Sequence, residues 1–163
     1  MNQTHIHLLI THLPIFGSIL GGIVIAHGIW TKSNQTKIAA YHLFVISAIG
    51  AAIAYLTGEG AEETVEKIQG VAEASIKQHE EFALFALISL IVLGVASLIG
   101  VVLTLRKSSQ ASAFAVVVLF VSLLSFGLVA WTGYLGGQIR HTEINSTINI
   151  PDSTLEETEG DDD

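Results

Sequence analysis

The sequence predicts an all-α integral membrane protein, a four-transmembrane-helix up-down bundle with a short helical outer loop and a disordered acidic C-terminal tail. Three observations carry this prediction. Half of the 163 residues are apolar and only 13% are charged, against about a quarter charged in an ordinary soluble domain. The mean hydropathy is +0.59. The apolar residues also fall into four long blocks whose interiors hold no Lys, Arg, Asp or Glu. One domain is expected over residues 1–143, with a polar and acidic tail over 144–163.

The blocks run over about 6–30, 38–56, 82–105 and 113–137. Each approaches or exceeds the ~20 residues that cross a hydrocarbon core as a helix. Backbone groups in lipid must be satisfied within the protein, so the choice lies between helices and a closed barrel. Barrel strands alternate apolar and polar residues, and these blocks do not. The first block is expected to be a retained helix rather than a signal peptide, which has a basic start and an apolar core of ~7–15 residues. Here no Lys or Arg precedes Lys32 and the apolar run is longer.

The connections set the expected orientation. The short loop Thr31–Lys37 carries Lys32 and Lys37, the short loop after Leu105 carries Arg106 and Lys107, and neither has an acid. The opposite side holds all 15 acids of the chain, seven in the loop Thr57–Glu81 and eight in the tail. The positive-inside rule then places both short loops in the cytoplasm and both termini outside. The expected location is a bacterial inner (cytoplasmic) membrane. In the long loop, Ala61–Gln69 reads as a short helix with Glu63 and Lys67 paired at i, i+4. Ser75 reads as the cap of the helix that continues into the third span. Pro151–Asp163 cannot bury enough apolar surface to offset ordering and is expected to be disordered.

Two G-x-x-x-G patterns, Gly17/Gly21 and Gly133/Gly137, predict close helix approach. Packing within the chain is the reading preferred over homodimerisation, and a homo-oligomer is left open.

Composition removes several functions. A net charge of −8 excludes a basic nucleic-acid surface. The absence of cysteine excludes disulfides, thiolate ligands, c-type haem attachment and a cysteine nucleophile. No nucleophile elbow, P-loop or dinucleotide fingerprint points to an enzyme. No ionisable residue stands at mid-membrane, where a transport relay would need one.

The seven histidines are the informative feature. His5, His7 and His12 fall at the outer end of the first span, His79 at the outer start of the third, and His141 just past the fourth. Gly133, Gly137 and His141 stand at i, i+4, i+8, nearly one helix face, and His5 and His12 also share a face. Glu59, Glu62, Glu63 and Glu66 follow the second span. Histidines from three helices with nearby carboxylates are the composition of a metal site. Two imidazoles facing each other across a bundle would suit a b-type haem. The expected metal ligands are His12, His79 and His141, with Glu59 and Glu62 as carboxylate ligands or partners that fix a tautomer. For a haem, His12 and His79 would bind the iron, and Arg140 would pair with a propionate. His5, His7 and Glu73 read as solvated. His27 and His42, near the cytoplasmic ends of spans one and two, read as interfacial polar residues rather than ligands of a second haem.

The helix ends also carry a resemblance. His12-Leu13-Pro14-Ile15 opens the first span, Leu56-Thr57-Gly58-Glu59 closes the second, and His79 begins the third. Thr132-Gly133-Tyr134-Leu135-Gly136-Gly137 closes the fourth, followed by Gln138-Ile139-Arg140-His141. This resembles the small four-helix bacterial membrane proteins of the domain-of-unknown-function family 2231, over nearly the whole ordered chain. The resemblance implies a redox setting, because some members are joined to or sit near electron-transfer modules. It bears on His12, His79, the Gly133–Gly137 turn and His141. The functional expectation is a membrane binding module for a transition metal ion or haem b, accessory to electron transfer or metal handling. Its partners would be the lipid bilayer and a redox or other membrane protein. The alternative is a cofactor-free structural or assembly subunit that docks a partner through its acidic outer face.

Overall fold

The computed structural model describes residues 3–65 and 73–140. Its elements are α1 (Gln3–Ile10), α2 (His12–Trp30), α3 (Asn34–Leu56), α4 (Gly58–Val65), α5 (Glu73–Leu105) and α6 (Ala111–Arg140). Among the described residues, four helical stretches are long and apolar enough to cross a membrane: Gln3–Trp30, Asn34–Leu56, Glu73–Leu105 and Ala111–Ile139. They match the four predicted blocks, and each extends beyond the predicted bounds. At 1.5 Å per residue the 33-residue α5 is about 50 Å long, well over the ~30 Å of a hydrocarbon core.

The first stretch is one helix interrupted at Thr11, and Pro14 supplies the reason. Proline has no N–H to give the carbonyl four residues back, which here is that of Ile10. In the turn just before Pro14, Thr11 Oγ1 and His12 Nδ1 reach the Leu8 carbonyl at 3.1 and 3.0 Å.

The long helices close into a ring in the order α2–α3–α5–α6, each packed against two neighbours. Ile25, Tyr41, Phe44, Leu90, Leu93 and Val118 are buried at its centre. The outward surface is apolar as well, with Phe16, Ile49, Phe85, Leu98 and Phe120 exposed, as a lipid-facing bundle requires. Small residues set the crossings, as expected for Gly17 and Gly21. A Cβ on Gly17 would collide with Ser47, and one on Gly21 would stand 2.5 Å from the Phe44 ring. The second pattern behaves otherwise. A Cβ on Gly133 would meet Ile15 at ordinary contact distance and one on Gly137 would meet nothing within 4 Å among the described residues, whereas Gly136 sits beneath His79. The buried hydroxyls of Ser18, Ser97, Thr104 and Ser122 bond to carbonyls of their own helices, so they act as small, self-satisfied groups.

At one end of the bundle the turns of the two hairpins share a geometry. Lys32 and Lys107 adopt left-handed φ of 54° and 52°. Each donates its N–H to the carbonyl three residues back, and the following Ser donates to the one five back. These are Schellman caps, which favour glycine at the left-handed position. Replacing Lys32 or Lys107 by Gly should therefore raise stability by about 0.5–1 kcal/mol, read as a higher unfolding midpoint in detergent. A lower midpoint would show that the lysine side chain is itself holding the turn. Ser33 accepts from the Thr36 N–H and starts α3 at Asn34. Lys37 is consequently not a loop residue: it lies inside the helix, buried against Gly28.

The loop at the opposite end differs in detail from expectation. The short helix begins at Gly58 rather than Ala61 and is described as far as Val65, residues 66–69 lying outside the described residues. Lys67, and with it the Glu63–Lys67 pair, lies outside the described residues. Ser75 stands within α5, which is already helical at Glu73, so it is not the cap. The i, i+4 pair observed there is Glu73–Lys77 at 2.9 Å. α4 lies along α1, where the Thr4 hydroxyl reaches Thr64 at 2.9 Å and the Gly60 carbonyl at 3.4 Å.

A histidine site at one end of the bundle

The phase of the first helix decides where its histidines point. Pro14, Ser18, Gly21 and Ile25 are among its buried positions. At 100° per residue, His7 shares their side, while His5 and His12 fall opposite. The structure follows this phase. His5 and His12 are exposed, and the His12 ring stacks on the outward-facing Phe16 at 6.4 Å. The two do share a face, as expected, but it is the outer surface of the bundle. His12 therefore does not converge with His79. Its Nδ1–H satisfies the Leu8 carbonyl in the turn just before Pro14, which is a structural role.

His7 takes the inward place, although its type and position read as solvated. Its Nδ1–H donates to the Ala54 carbonyl at 2.8 Å, near the end of α3. Its ring lies over Gly58, whose Cβ would be 3.7 Å from Cε1. The helical stripe His7, Pro14, Ser18, Gly21, Ile25 was the signal available in the sequence.

His79 is half-buried at the same end, between α5 and α6. Its Nδ1–H donates to the Thr132 carbonyl at 3.0 Å. Its ring lies over Gly136, with Cε1 only 3.0 Å from where a Cβ would stand. His7, near the start of the first helical stretch, and His79, near the start of the third, stand at the same end of the up-down bundle. Phe82, one turn on from His79, packs edge-on against Trp131 at 6.3 Å, and Trp131 lies 5.4 Å from Tyr134. Trp131 and Tyr134 are exposed, so this aromatic cluster lies on the outer surface of the α5–α6 hairpin.

The chemistry of both imidazoles is set by their hydrogen bonds. A carbonyl only accepts, so Nδ1 carries the proton, and the neutral ring then presents Nε2 as a lone-pair donor. Metal-binding histidines are commonly held in this way, one nitrogen donating to a carbonyl and the other left for the metal.

The other predicted residues are placed as follows. Glu59 is exposed in the first turn of α4 and Glu62 is partly buried on the same helix. Arg140 ends α6, and His141 lies outside the described residues. His27 and His42 are both exposed on the surface of the bundle, His27 edge-on to Trp30. Among the described residues, no group of three or more His, Cys, Asp or Glu side chains could hold a metal ion. A half-open groove of about 300 Å³ between α2 and α6 is lined mainly by apolar side chains, with Ser18 and Ser122 among them. It contains none of these histidines.

Comparison with protein-family models, with curated proteins and with solved structures found no match for the chain. The resemblance to family 2231 rests on the helix-end residues quoted above.

Proposed function

We propose that this protein is a membrane binding module whose histidine end holds a transition metal, as an ion or as the iron of a b-type haem. It would serve an electron-transfer or metal-handling partner in the membrane and would be a member of family 2231. The observation that carries the reading is the state of His79: half-buried, with Nδ1–H committed to the Thr132 carbonyl and Nε2 left as a donor. Imidazole nitrogen suits zinc, copper, iron and nickel alike. His79 stays in the role expected for it, His7 replaces His12, and His141, Glu59, Glu62 and Arg140 remain candidates for completing the shell. The basic turns would face the cytoplasm and both termini the outside of a bacterial inner membrane, following the positive-inside rule.

The second reading, a cofactor-free structural subunit, draws on the same hydrogen bonds taken as staples between helices. Metal analysis and a visible spectrum separate the two, on protein purified without a histidine tag. Stoichiometric metal or a Soret band is expected, and His12→Ala should leave either unchanged because that ring faces outward. Metal-free, colourless protein from cells well supplied with iron, copper and haem would favour the structural subunit.

A further inference from the structure

The histidine end repeats itself. The first hairpin pairs Gln3–Trp30 with α3, and the second pairs α5 with α6. Both turn through a left-handed Lys followed by Ser, with the same pair of capping bonds. In each, a histidine of the first arm donates Nδ1–H to a carbonyl of the second arm, Ala54 or Thr132. In each, the ring lies over the glycine four residues beyond that carbonyl, Gly58 or Gly136. His7 and Ala54 stand 25 residues before and 22 after Lys32, and His79 and Thr132 stand 28 before and 25 after Lys107. Both arms of the second hairpin are thus longer by three residues, close to one helical turn. The ring order α2–α3–α5–α6 is the one a two-fold axis along the bundle would produce, placing α2 opposite α5 and α3 opposite α6.

Parallel repeats of this kind are known from secondary transporters, where the ligand sites lie at the interface between the repeats. We infer that the chain is a tandem pair of equivalent hairpins, and that His7 and His79 are equivalent Nε2 ligands of a single metal centre between them. This rests on the proposed metal-binding function and fixes its coordination: two protein imidazoles, one from each hairpin. Two donors are the protein's complement in a bis-histidine haem, where the macrocycle brings the other four ligands. They also suit a bare copper ion that completes its shell with solvent.

The test uses the full chain in detergent, titrated separately with haemin and with copper(II). Asparagine substitution at each histidine distinguishes ligand from staple. Its amide N–H can stand in for Nδ1–H at the carbonyl, but it has no counterpart of Nε2. One equivalent is expected to bind wild type with either a bis-imidazole haem spectrum or copper spin-echo modulation from two imidazoles. His7→Asn and His79→Asn should each weaken binding at least tenfold, to a similar degree, while helicity by circular dichroism is unchanged. His12→Asn should bind as wild type.

A loss confined to one of the two positions would overturn the shared site while leaving the metal-binding reading standing. So would two independent equivalents, or one or three imidazoles counted on the wild-type copper. Failure of wild type to bind either probe would remove the metal-binding reading and this inference with it. The imidazole count on wild type decides the matter even where an asparagine variant fails to fold.

Discussion

Gly100→Ala should lower stability by about 2–3 kcal/mol, and Gly100→Val should keep the chain from accumulating folded in the membrane. The Tyr41 ring lies directly over Gly100, so that an added Cβ would stand 2.5 Å from Cζ, 2.7 Å from Cε1 and 2.9 Å from Cε2. Tyr41 is wholly buried at the centre of the bundle, and the flat ring has no flexible end to swing aside. Overpacking of this kind costs about 1–3 kcal/mol where neighbours can shift, against a total stability of only about 5–15 kcal/mol. Gly127→Ala is the internal control. Nothing lies within 4 Å of its Cβ position, so the better helix propensity should stabilise by up to about 1 kcal/mol. Thermal unfolding in detergent, followed by helicity, reads both. Equal midpoints for the two alanine variants would show that the α3–α5 contact does not hold the bundle together.

The contrast between these glycines also shows what the sequence could and could not reveal. The four spans were legible because lipid imposes one coarse rule, ~20 apolar residues without charge, that needs no partner to be read. Which small residue matters at a crossing depends on the helix opposite. Gly133 and Gly137 have the same spacing as Gly17 and Gly21 but do not pack as they do, and Gly136, outside the pattern, carries the contact with His79. The histidines followed the same logic. Depth along the chain gathered five histidines at one end; the helix order places His5, His7, His12 and His79 there, and His141 lies outside the described residues. Facing was harder, because the rule of i, i+7 says that His5 and His12 share a side without saying which side. The buried stripe of Pro14, Ser18, Gly21 and Ile25 resolves it: lipid-facing and core-facing positions are both apolar here, and the small residues Ser18 and Gly21 mark which face meets another helix. His12 stood in the more conspicuous motif beside Pro14, and that motif has its own explanation in the carbonyl of Leu8.

Gly136→Val should strip metal or haem from the histidine end, lowering affinity at least tenfold, while the bundle stays folded. The argument starts from the space beneath His79. Even a Cβ at Gly136 would be 3.0 Å from Cε1 and 3.3 Å from Nδ1, so the ring would have to give by a few tenths of an ångström. The two methyl groups of valine reach further and would lift the ring away from α6. Lifting it breaks the 3.0 Å bond from Nδ1 to the Thr132 carbonyl, and that bond is what orients Nε2. Loss of such an orienting partner commonly costs ten- to a hundredfold in metal affinity. Global stability should fall by only about 1 kcal/mol, since one hydrogen bond near the end of the helix is lost. The same change on the first hairpin is milder by geometry. A Cβ at Gly58 would meet the His7 ring at 3.7 Å, an ordinary van der Waals contact, so Gly58→Ala should bind nearly as wild type. Haemin and copper(II) titrations of Gly136→Val and Gly58→Ala, each checked for helicity, measure the difference. If Gly136→Val binds as tightly as wild type, the seat of His79 on α6 does not set its donor nitrogen, and His79 is only a staple between the two helices.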